Sequence, residues 1–213
     1  MALIITVAQQ KGGAGKTTLV ANLAVAFARS GRFVALLDID PQRSLSRWHA
    51  LRAGKSGRTV LHLSEVAGWR LAAELERLGR SHDVVLIDSP PQIETDARLA
   101  IRGANLVLVP VQPSLPDLWA AEGTLKLAAA EKRDARLVLN RAPASGKLRE
   151  RVLAEIARQG HPLCATVWGN RIGLATAFAD GLSIVETSPK SVAAQEVMAL
   201  LAEVAGLADS GRP

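Results

Sequence analysis

The segment from position 10 to position 18, QKGGAGKTT, constrains the fold of this chain more than any other feature. The apolar run 3–8 before it, LIITVA, is typical of a buried parallel strand. The segment 19–28 after it is rich in Ala, Leu and Val at helical spacing. The glycines are therefore predicted to lie on a turn that joins a strand to a helix.

This turn has the composition of a phosphate-binding loop. The glycines at positions 12, 13 and 15 carry no Cβ, so successive backbone N–H groups can converge on phosphate oxygens at a helix N-terminus. Lys16 can then reach the β- and γ-phosphates of a nucleotide, and the Thr17 hydroxyl can bind Mg²⁺. The ordinary pattern G-x-x-x-x-G-K-[ST] requires glycine at position 10, where this chain has Gln10 followed by Lys11.

Composition limits the class of protein. The 213 residues suffice for one sizeable core, so we predict a single domain over 1–207 and a disordered tail over 208–213. The single cysteine, Cys164, is expected in the core, excludes an intrachain disulfide and fits a reducing cytoplasm. Neither a signal peptide nor a membrane-spanning apolar stretch is expected from the sequence pattern. A net charge of +6 favours a polyanionic partner, with simple solubility as the alternative.

Strand and helix patterns alternate along the chain. After the first strand, apolar runs predict strands at 32–40, 83–91, 105–110 and 135–140, with weaker ones at 59–63 and 162–167. Helical patterns lie at 69–78, 95–102, 117–132, 147–159 and 172–180, and Ser188-Pro189 is expected to open a last helix. This alternation predicts an α/β fold with a largely parallel sheet and helices on both faces.

Polar residues end several of these strands. Asp38 and Asp40 close the second strand, Asp88 ends the run 84–88, and Asn140 follows the strand at 135–140. An unpaired carboxylate at the end of a buried strand is costly, so a cation partner is expected. The carboxyl ends of parallel strands share one edge of the sheet, so these groups should lie near the glycine loop.

Four motifs together resemble the ParA/MinD family of deviant Walker ATPases, and most of all the small ParA-type partition and positioning ATPases. They are KGGAGKTT at 11–18, DIDPQ at 38–42, VVLIDSPP at 84–91 and VPVQPS at 109–114. The resemblance covers 1–140 by ordered motifs and 141–207 by general pattern. It implies a P-loop NTPase fold and an ATPase that uses ATP and Mg²⁺.

The resemblance also implies residue roles. ATP would bring two copies face to face, with the catalytic Lys11 of each touching phosphate on the other, beside Lys16 and an Asp40 that positions the attacking water. Thr17 and Asp88 would serve the metal directly or through bound water, and Asp38 through water. For the three acids, a helix cap or core salt bridge is the alternative. The expected nucleotide-binding residues are Gly12, Gly13, Ala14, Gly15, Lys16, Thr17, Thr18, Asn140 and Arg141, with a structural turn as the alternative for Asn140.

The basic charge is best explained by non-specific DNA. Segment 141–171 has a net charge of +4, and the family binds DNA through basic residues of this region. With 3% aromatic residues and no tyrosine, phosphate contacts are favoured over base stacking. The candidate contacts are Lys147, Arg151, Arg158 and Arg171, and a second patch is Arg43, Arg47 and Arg52; a solvated helix face is the alternative. The last helix carries Glu196 and Glu203 but no Lys or Arg over 191–207, so membrane binding is not expected.

The sequence therefore predicts a cytoplasmic, nucleoid-associated ATPase that forms a homodimer with ATP and binds DNA non-specifically. It would position a plasmid, a chromosome region or a protein assembly, and a ParB-like or other cargo-bound protein would stimulate hydrolysis. Two alternatives remain. A small-molecule ligase of the dethiobiotin-synthetase type is disfavoured by DIDPQ at 38–42, and an adaptor of a DNA-transfer complex would show little turnover with DNA.

Overall fold

The computed structural model describes residues 2–55, 58–66, 68–91 and 95–210. Within these ranges six strands form one sheet in which every neighbouring pair is parallel. The strands are β1 Leu3–Val7, β2 Val34–Asp38, β3 His62–Glu65, β4 Val84–Asp88, β5 Leu106–Val111 and β6 Asp134–Leu139. They lie in the order β3-β2-β4-β1-β5-β6.

Helices follow most of the strands and return the chain to the end of the sheet at which the next parallel strand begins. They are α1 Lys16–Arg29, α2 Ser44–Arg52, α3 Leu71–Gly79, α4 Thr95–Gly103, α5 Leu115–Ala130, α6 Lys147–Arg158, α7 Ile172–Ala179, α8 Ile184–Thr187 and α9 Val192–Ser210. A 3₁₀ helix, Gly68–Arg70, precedes α3.

The sheet is covered on both faces. Every residue of β2, β4 and β5 is buried, as expected for strands between two helical layers. Because side chains alternate along a strand, Val84 and Leu86 pack with α1 and α9, whereas Val85 and Ile87 pack with α3 and α4. Helices α1, α2 and α7 to α9 lie on one face and α3 to α6 on the other, which confirms the predicted fold class.

The strand order changes direction at β1, and this creates the crevice in which the site lies. β1 lies between β4 and β5, so the chain passes to one side from β1 to β2 and to the other from β4 to β5. Ligands of open parallel sheets bind at such a switch point, beyond the carboxyl ends of the strands. The register pairs Asp88 with Asp38 on one side and with Val7 on the other. Both acids therefore end beside the loop that follows β1.

The strand predicted at 162–167 is wrong. Around this segment, two isolated bridges at Leu163 and Gly169 and one hydrogen bond from the Trp168 N–H to Leu139 O connect the chain to β6 and its end, without forming a strand. The N–H groups of Ala165 and Thr166 donate instead to the carboxylate of Glu203 on α9, at 2.6 and 2.9 Å. Backbone N–H groups that are bound by a side chain cannot also continue a ladder, and the strand stops there.

The last helix begins at Val192, not at the predicted Ser188-Pro189. Ser191 caps it, because its Oγ accepts a hydrogen bond from a first-turn N–H. The sequence prediction also missed α8, a single turn held by a capping box between Ser183 and Glu186.

Three further findings concern the predicted strand at 59–63, the predicted tail and membrane-spanning helices. The strand predicted at 59–63 lies at His62–Glu65. Residues 208–210 of the predicted disordered tail belong to α9, which ends at Ser210, and 211–213 lie outside the described residues. In the described part of the chain, no helix has the length and apolar character needed to cross a membrane.

Candidate functional site

The glycine loop forms a cradle at the N-terminus of α1. Its cavity of about 310 Å³ is lined by the loop residues Gly12, Gly13, Gly15, Lys16, Thr17 and Thr18, together with Asp40 and others. Gly15 has φ +96°, a conformation that a side chain would strain. No side chain of the described structure caps α1, so its first N–H groups remain available to an anion.

Two side chains brace this loop from behind. Asn140 Nδ2 donates to the carbonyl of the buried Ala14 at 2.8 Å, and Gln112 Nε2 donates to Gly13 O at 3.2 Å. A Cβ at Gly15 would lie 2.3 Å from Asn140 Nδ2, so a side chain there would push the Asn140 amide away from the loop. Ala14 therefore serves the loop through its carbonyl, and Asn140 supports it from the end of β6.

Lys16 faces into the cradle. Its side chain is largely buried, and Nζ donates to Gln9 O at 3.2 Å. Burial lowers the pKa of Lys16, while the negative charges of Asp88 and Asp40 act in the opposite direction. The ammonium is thus held beside the cavity with acids behind it, where a phosphate would replace the carbonyl as its partner.

Lys11 faces elsewhere. Its Nζ lies 2.5 Å from Oδ2 of the buried Asp117, in the first turn of α5. Lys11 does not belong to the described lining of the phosphate cavity. Sequence reasoning missed Asp117; the pattern Ser114-x-x-Asp117, in which the Ser114 hydroxyl caps α5, could have located it at a helix start.

Asp38 and Asp40 form a compact turn after β2. Asp38 Oδ2 accepts hydrogen bonds from the N–H and Oγ of Ser46 at 2.8 and 2.7 Å, and Oδ1 accepts one from the Asp40 N–H at 3.1 Å. Asp40 Oδ1 accepts one from the Gln42 N–H at 2.9 Å, and Asp40 lines the phosphate cavity. Asp38 therefore anchors α2, and its role near Mg²⁺ stays a prediction.

Asp88 is fully buried at the end of β4. Among the described residues no group completes a hydrogen bond of normal geometry with either carboxylate oxygen. Burial raises its pKa to about 7; the nearby Thr17 hydroxyl acts against the shift and the charge of Asp38 adds to it. Two buried oxygens without partners, next to Thr17, fit a divalent cation or its bound water.

A second cavity, of about 590 Å³, adjoins the phosphate cradle. Gly15, Thr18 and Arg141 line both spaces, so a nucleotide with its phosphates in the cradle would place its nucleoside here. The rest of the lining includes Asn140 and the residues at positions 169–172, 174 and 175. The structure thus brings the predicted nucleotide residues Asn140 and Arg141 to this cavity.

The candidate DNA residues fall into two groups. Lys147 and Arg151 lie in the first half of α6 and are exposed, and neither forms an ion pair within the part of the chain that the structure describes. Arg158 lies at the other end of α6 and pairs with Glu155 at 2.5 Å. Arg171 lines the second cavity and pairs with Glu196 at 2.8 Å.

The prediction of a second basic patch is wrong for one of its residues, Arg52. Arg52 is buried at 2% exposure, and its guanidinium binds both oxygens of Glu186 at 2.8 and 2.9 Å. It also donates to the carbonyls of Gly181 and Thr59. A basic residue in such an enclosed pair cannot contact DNA, so Arg52 is a core residue. Cys164 is buried, as predicted.

Comparison with known proteins gives a consistent result. Residues 5–184 match the protein family described as the CobQ/CobB/MinD/ParA nucleotide binding domain. The maintenance of carboxysome distribution protein A of Halothiobacillus neapolitanus is 30% identical over 216 residues, which cover 95% of this chain and 96% of that protein. The chromosome-partitioning ATPase Soj of Thermus thermophilus is 30% identical over 240 residues, with 94% of each chain covered.

The fold has the same relatives. The septum site-determining protein MinD of Pyrococcus horikoshii, solved as a complex with Mg-ADP, superposes with a TM-score of 0.79 at 21% identity. The superposition covers 100% of this chain and 99% of that one. The fold is therefore shared with a protein that was solved with Mg-ADP bound.

Proposed function

The chain belongs to the CobQ/CobB/MinD/ParA nucleotide-binding family, within the P-loop ATPases of the ParA/MinD type, and from this premise we propose that it is a positioning ATPase that works as an ATP-dependent dimer. Its cargo would be a plasmid, a chromosome region or a protein assembly. The dimer would hold non-specific DNA, and a partner bound to the cargo would stimulate hydrolysis.

One observation carries this proposal: the side chains of the two loop lysines point in different directions. Lys16 lines its own phosphate cavity, whereas Lys11 leaves the same loop toward Asp117 on α5. Lys11 is partly exposed, so a second copy facing the carboxyl edge of the sheet could receive it. A site whose second cation comes from another subunit turns over only in the dimer.

The residues of the cradle fit a magnesium nucleotide. Bound Mg²⁺ would neutralise phosphate charge and favour transfer of the γ-phosphoryl group to water. The loop N–H groups and Lys16 would bind phosphate oxygens, and Thr17 and Asp88 would hold the cation or its water. Asp40, at the cavity wall, would orient the attacking water, and the partner copy's lysine 11 would stabilise the developing charge.

Dimerisation is tested by light scattering with a non-hydrolysable ATP analogue. Wild type should shift from monomer to dimer, and Lys11→Ala should lose ATP hydrolysis by about 10³-fold while it still binds ADP. Lys126→Ala is the matched control, because it removes the same charge from an exposed position on α5. Equal turnover in wild type and Lys11→Ala would contradict the proposal, and turnover that requires a small acid would favour a ligase.

DNA binding is tested with two double variants of equal charge. Lys147→Ala/Arg151→Ala removes the exposed cations of α6, whereas Arg32→Ala/Arg133→Ala removes two exposed cations near the opposite edge of the sheet. We expect the first pair to weaken the ATP-bound form on arbitrary DNA and to reduce the salt slope by about one unit per lost phosphate contact. Equal losses in both variants would point to net charge alone, and ATP-independent binding would contradict the central idea.

A further inference from the structure

The segment 163–171, which leads into α7, is held from two sides. Toward the sheet, the Trp168 N–H donates to Leu139 O at 2.9 Å, and the Ala142 N–H donates to Trp168 O at 3.0 Å. Toward the helical layer, α9 supplies two carboxylates, Glu196 and Glu203, which accept four hydrogen bonds from the segment. These two glutamates lie about two helical turns apart, and they bind different parts of the segment.

Glu196 is the one that binds residues of the second cavity, where the nucleoside would lie. Its Oε2 accepts a hydrogen bond from the Gly169 N–H at 3.0 Å, and its Oε1 accepts one from Arg171 Nη2 at 2.8 Å. Both partners line the cavity of about 590 Å³. The Arg171 guanidinium lies over Gly169, where a Cβ would come within 2.5 Å of Arg171 Nε. One carboxylate thus fixes a backbone amide and a guanidinium on the same wall.

We propose that Glu196 positions Arg171 for contact with the nucleoside, so that α9 sets how tightly the nucleotide is held. This inference rests on the proposed function, because the cavity must take the nucleoside of ATP. A guanidinium offers several donors and a flat face to a base or ribose. When its geometry is fixed beforehand, less conformational freedom is lost on binding. In this proposal Arg171 serves the nucleotide in place of the predicted contact with DNA.

Calorimetry with two probes tests the role of Glu196. ADP fills both cavities, whereas inorganic tripolyphosphate fills only the phosphate cradle. Glu196→Gln keeps an acceptor for the Gly169 N–H but removes the charge that holds Arg171. We expect the Kd for ADP to rise about fivefold or more, with the Kd for tripolyphosphate changed by less than about twofold. Arg171→Ala should show the same pattern, and the double variant should lose no more than either single one.

Glu203→Gln is the matched control. It is the same substitution on the same helix, and Glu203 also binds the segment 163–171. Its partners there are Ala165 and Thr166, which lie outside the described lining of the cavity. We expect it to leave the Kd for ADP unchanged, although both variants lower the unfolding temperature. Equal loss of ADP affinity in Glu196→Gln and Glu203→Gln would overturn the positioning role, because general loosening would then explain both.

Three further outcomes are distinguishable. If Arg171→Ala weakened ADP binding and Glu196→Gln did not, Arg171 would act without its partner and the inference would be overturned. Wild-type protein that bound tripolyphosphate but not ADP would overturn the nucleoside role alone. Wild-type protein that bound neither would overturn the proposed function together with it.

Discussion

Nζ of Lys11 and Oδ2 of Asp117 lie 2.5 Å apart, in an ion pair that joins the phosphate loop to the first turn of α5. The Ser114 hydroxyl donates to the same oxygen, and Oδ1 has no hydrogen-bond partner within the described ranges. The carboxylate is 2% exposed and the lysine side chain 44% exposed. In the proposed dimer, Lys11 has to leave Asp117 before it can contact a phosphate of the other copy.

Asp117→Asn is therefore expected to promote ATP-dependent dimerisation. The substitution keeps the shape of the side chain and removes the charge that holds Lys11, so release of the lysine no longer strands a buried carboxylate. A total saving of about 1 kcal/mol for the two ion pairs of one dimer would lower the protein concentration for half-dimerisation by about fivefold. Analytical ultracentrifugation with a non-hydrolysable ATP analogue measures this shift.

The control for this variant is Glu122→Gln, on the same helix. Glu122 pairs only loosely with Lys126, at 3.8 Å, so its loss should leave the dimerisation midpoint unchanged. Dimerisation that is unaltered or weaker in Asp117→Asn would contradict a restraining role of the ion pair.

Asp88 predicts an unusual pH dependence of stability for the nucleotide-free chain. Its pKa is about 7 in the folded protein, against 3.8 for an ordinary aspartate. Because the folded state binds the proton more tightly than the unfolded state, Asp88 lowers the free energy of unfolding as the pH rises from about 4 to about 7, by at most about 1.4 kcal/mol per pH unit. Asp88→Asn should therefore be more stable than wild type at pH 8, with the difference shrinking toward pH 4.

Thermal denaturation without nucleotide, from pH 4 to pH 8, measures the effect of Asp88. Asp180→Asn is the control, since that carboxylate is more than half exposed and lies 3.8 Å from Lys55. Parallel pH profiles for wild type and Asp88→Asn would show that the buried charge of Asp88 does not weaken the fold.

The sequence was sufficient for the sheet and the loop because their signals are local. The runs 3–8 and 84–87 carry apolar residues on both faces, and a glycine turn next to a helix pattern has few other uses. The partners of individual side chains could not be predicted in this way. Asp117 is predictable as a helix-start residue, but its contact with Lys11, 106 positions away, depends on how α5 packs on the sheet.

The burial of Arg52 also could not be predicted from the sequence, because it depends on a distant residue. The run 43–58 contains five basic residues and no acid, so local reasoning places Arg52 in an exposed patch. Its actual partner, Glu186, lies 134 positions away. Burial of a charged side chain is decided by such a distant carboxylate, and no spacing rule within the run contains that information.

Loss of this buried pair should destabilise the protein strongly. Arg52→Ala would leave Glu186 buried without its cation, and we expect a decrease of about 3 kcal/mol in the free energy of unfolding, measured with urea. Arg52→Lys should recover only part of it, because an ammonium cannot bind both oxygens as the guanidinium does. Arg80→Ala, from an exposed pair with Glu76, should change stability by less than about 1 kcal/mol.

The same pair predicts a loss of stability in acid. Burial acts to raise the pKa of Glu186, but hydrogen bonds from Arg52, the Thr59 N–H and the Ser183 N–H outweigh it, so the pKa is lowered. A lowered folded-state pKa contributes stability above the ordinary value of 4.5 that is lost as the pH falls through the folded-state pKa. Glu186→Gln should be less stable at pH 7 and should lose less stability than wild type below about pH 4.5. Identical acid limbs in urea titrations would contradict this.

A substitution at Gly123 in α5 distinguishes the effect of helix propensity from that of the space needed by the phosphate loop. Alanine usually stabilises a helix by about 1 kcal/mol over glycine, but here a Cβ would lie 2.0 Å from Nε2 of Gln10. Gln10 occupies the position at which the ordinary phosphate loop has glycine. We therefore expect Gly123→Ala to push Gln10 and the adjoining loop aside, with no gain in stability and a weaker affinity for ADP.

A rescue experiment separates this clash from a defect in α5 itself. Gln10→Ala removes the obstructing amide, so Gly123→Ala combined with Gln10→Ala should regain the affinity for ADP of Gln10→Ala alone. Gly79→Ala is the helical control, because an added Cβ there meets no described atom within 4 Å, and its ADP affinity should equal that of wild type. If Gly123→Ala stayed weak in the double variant, α5 would act on the loop by a route other than Gln10.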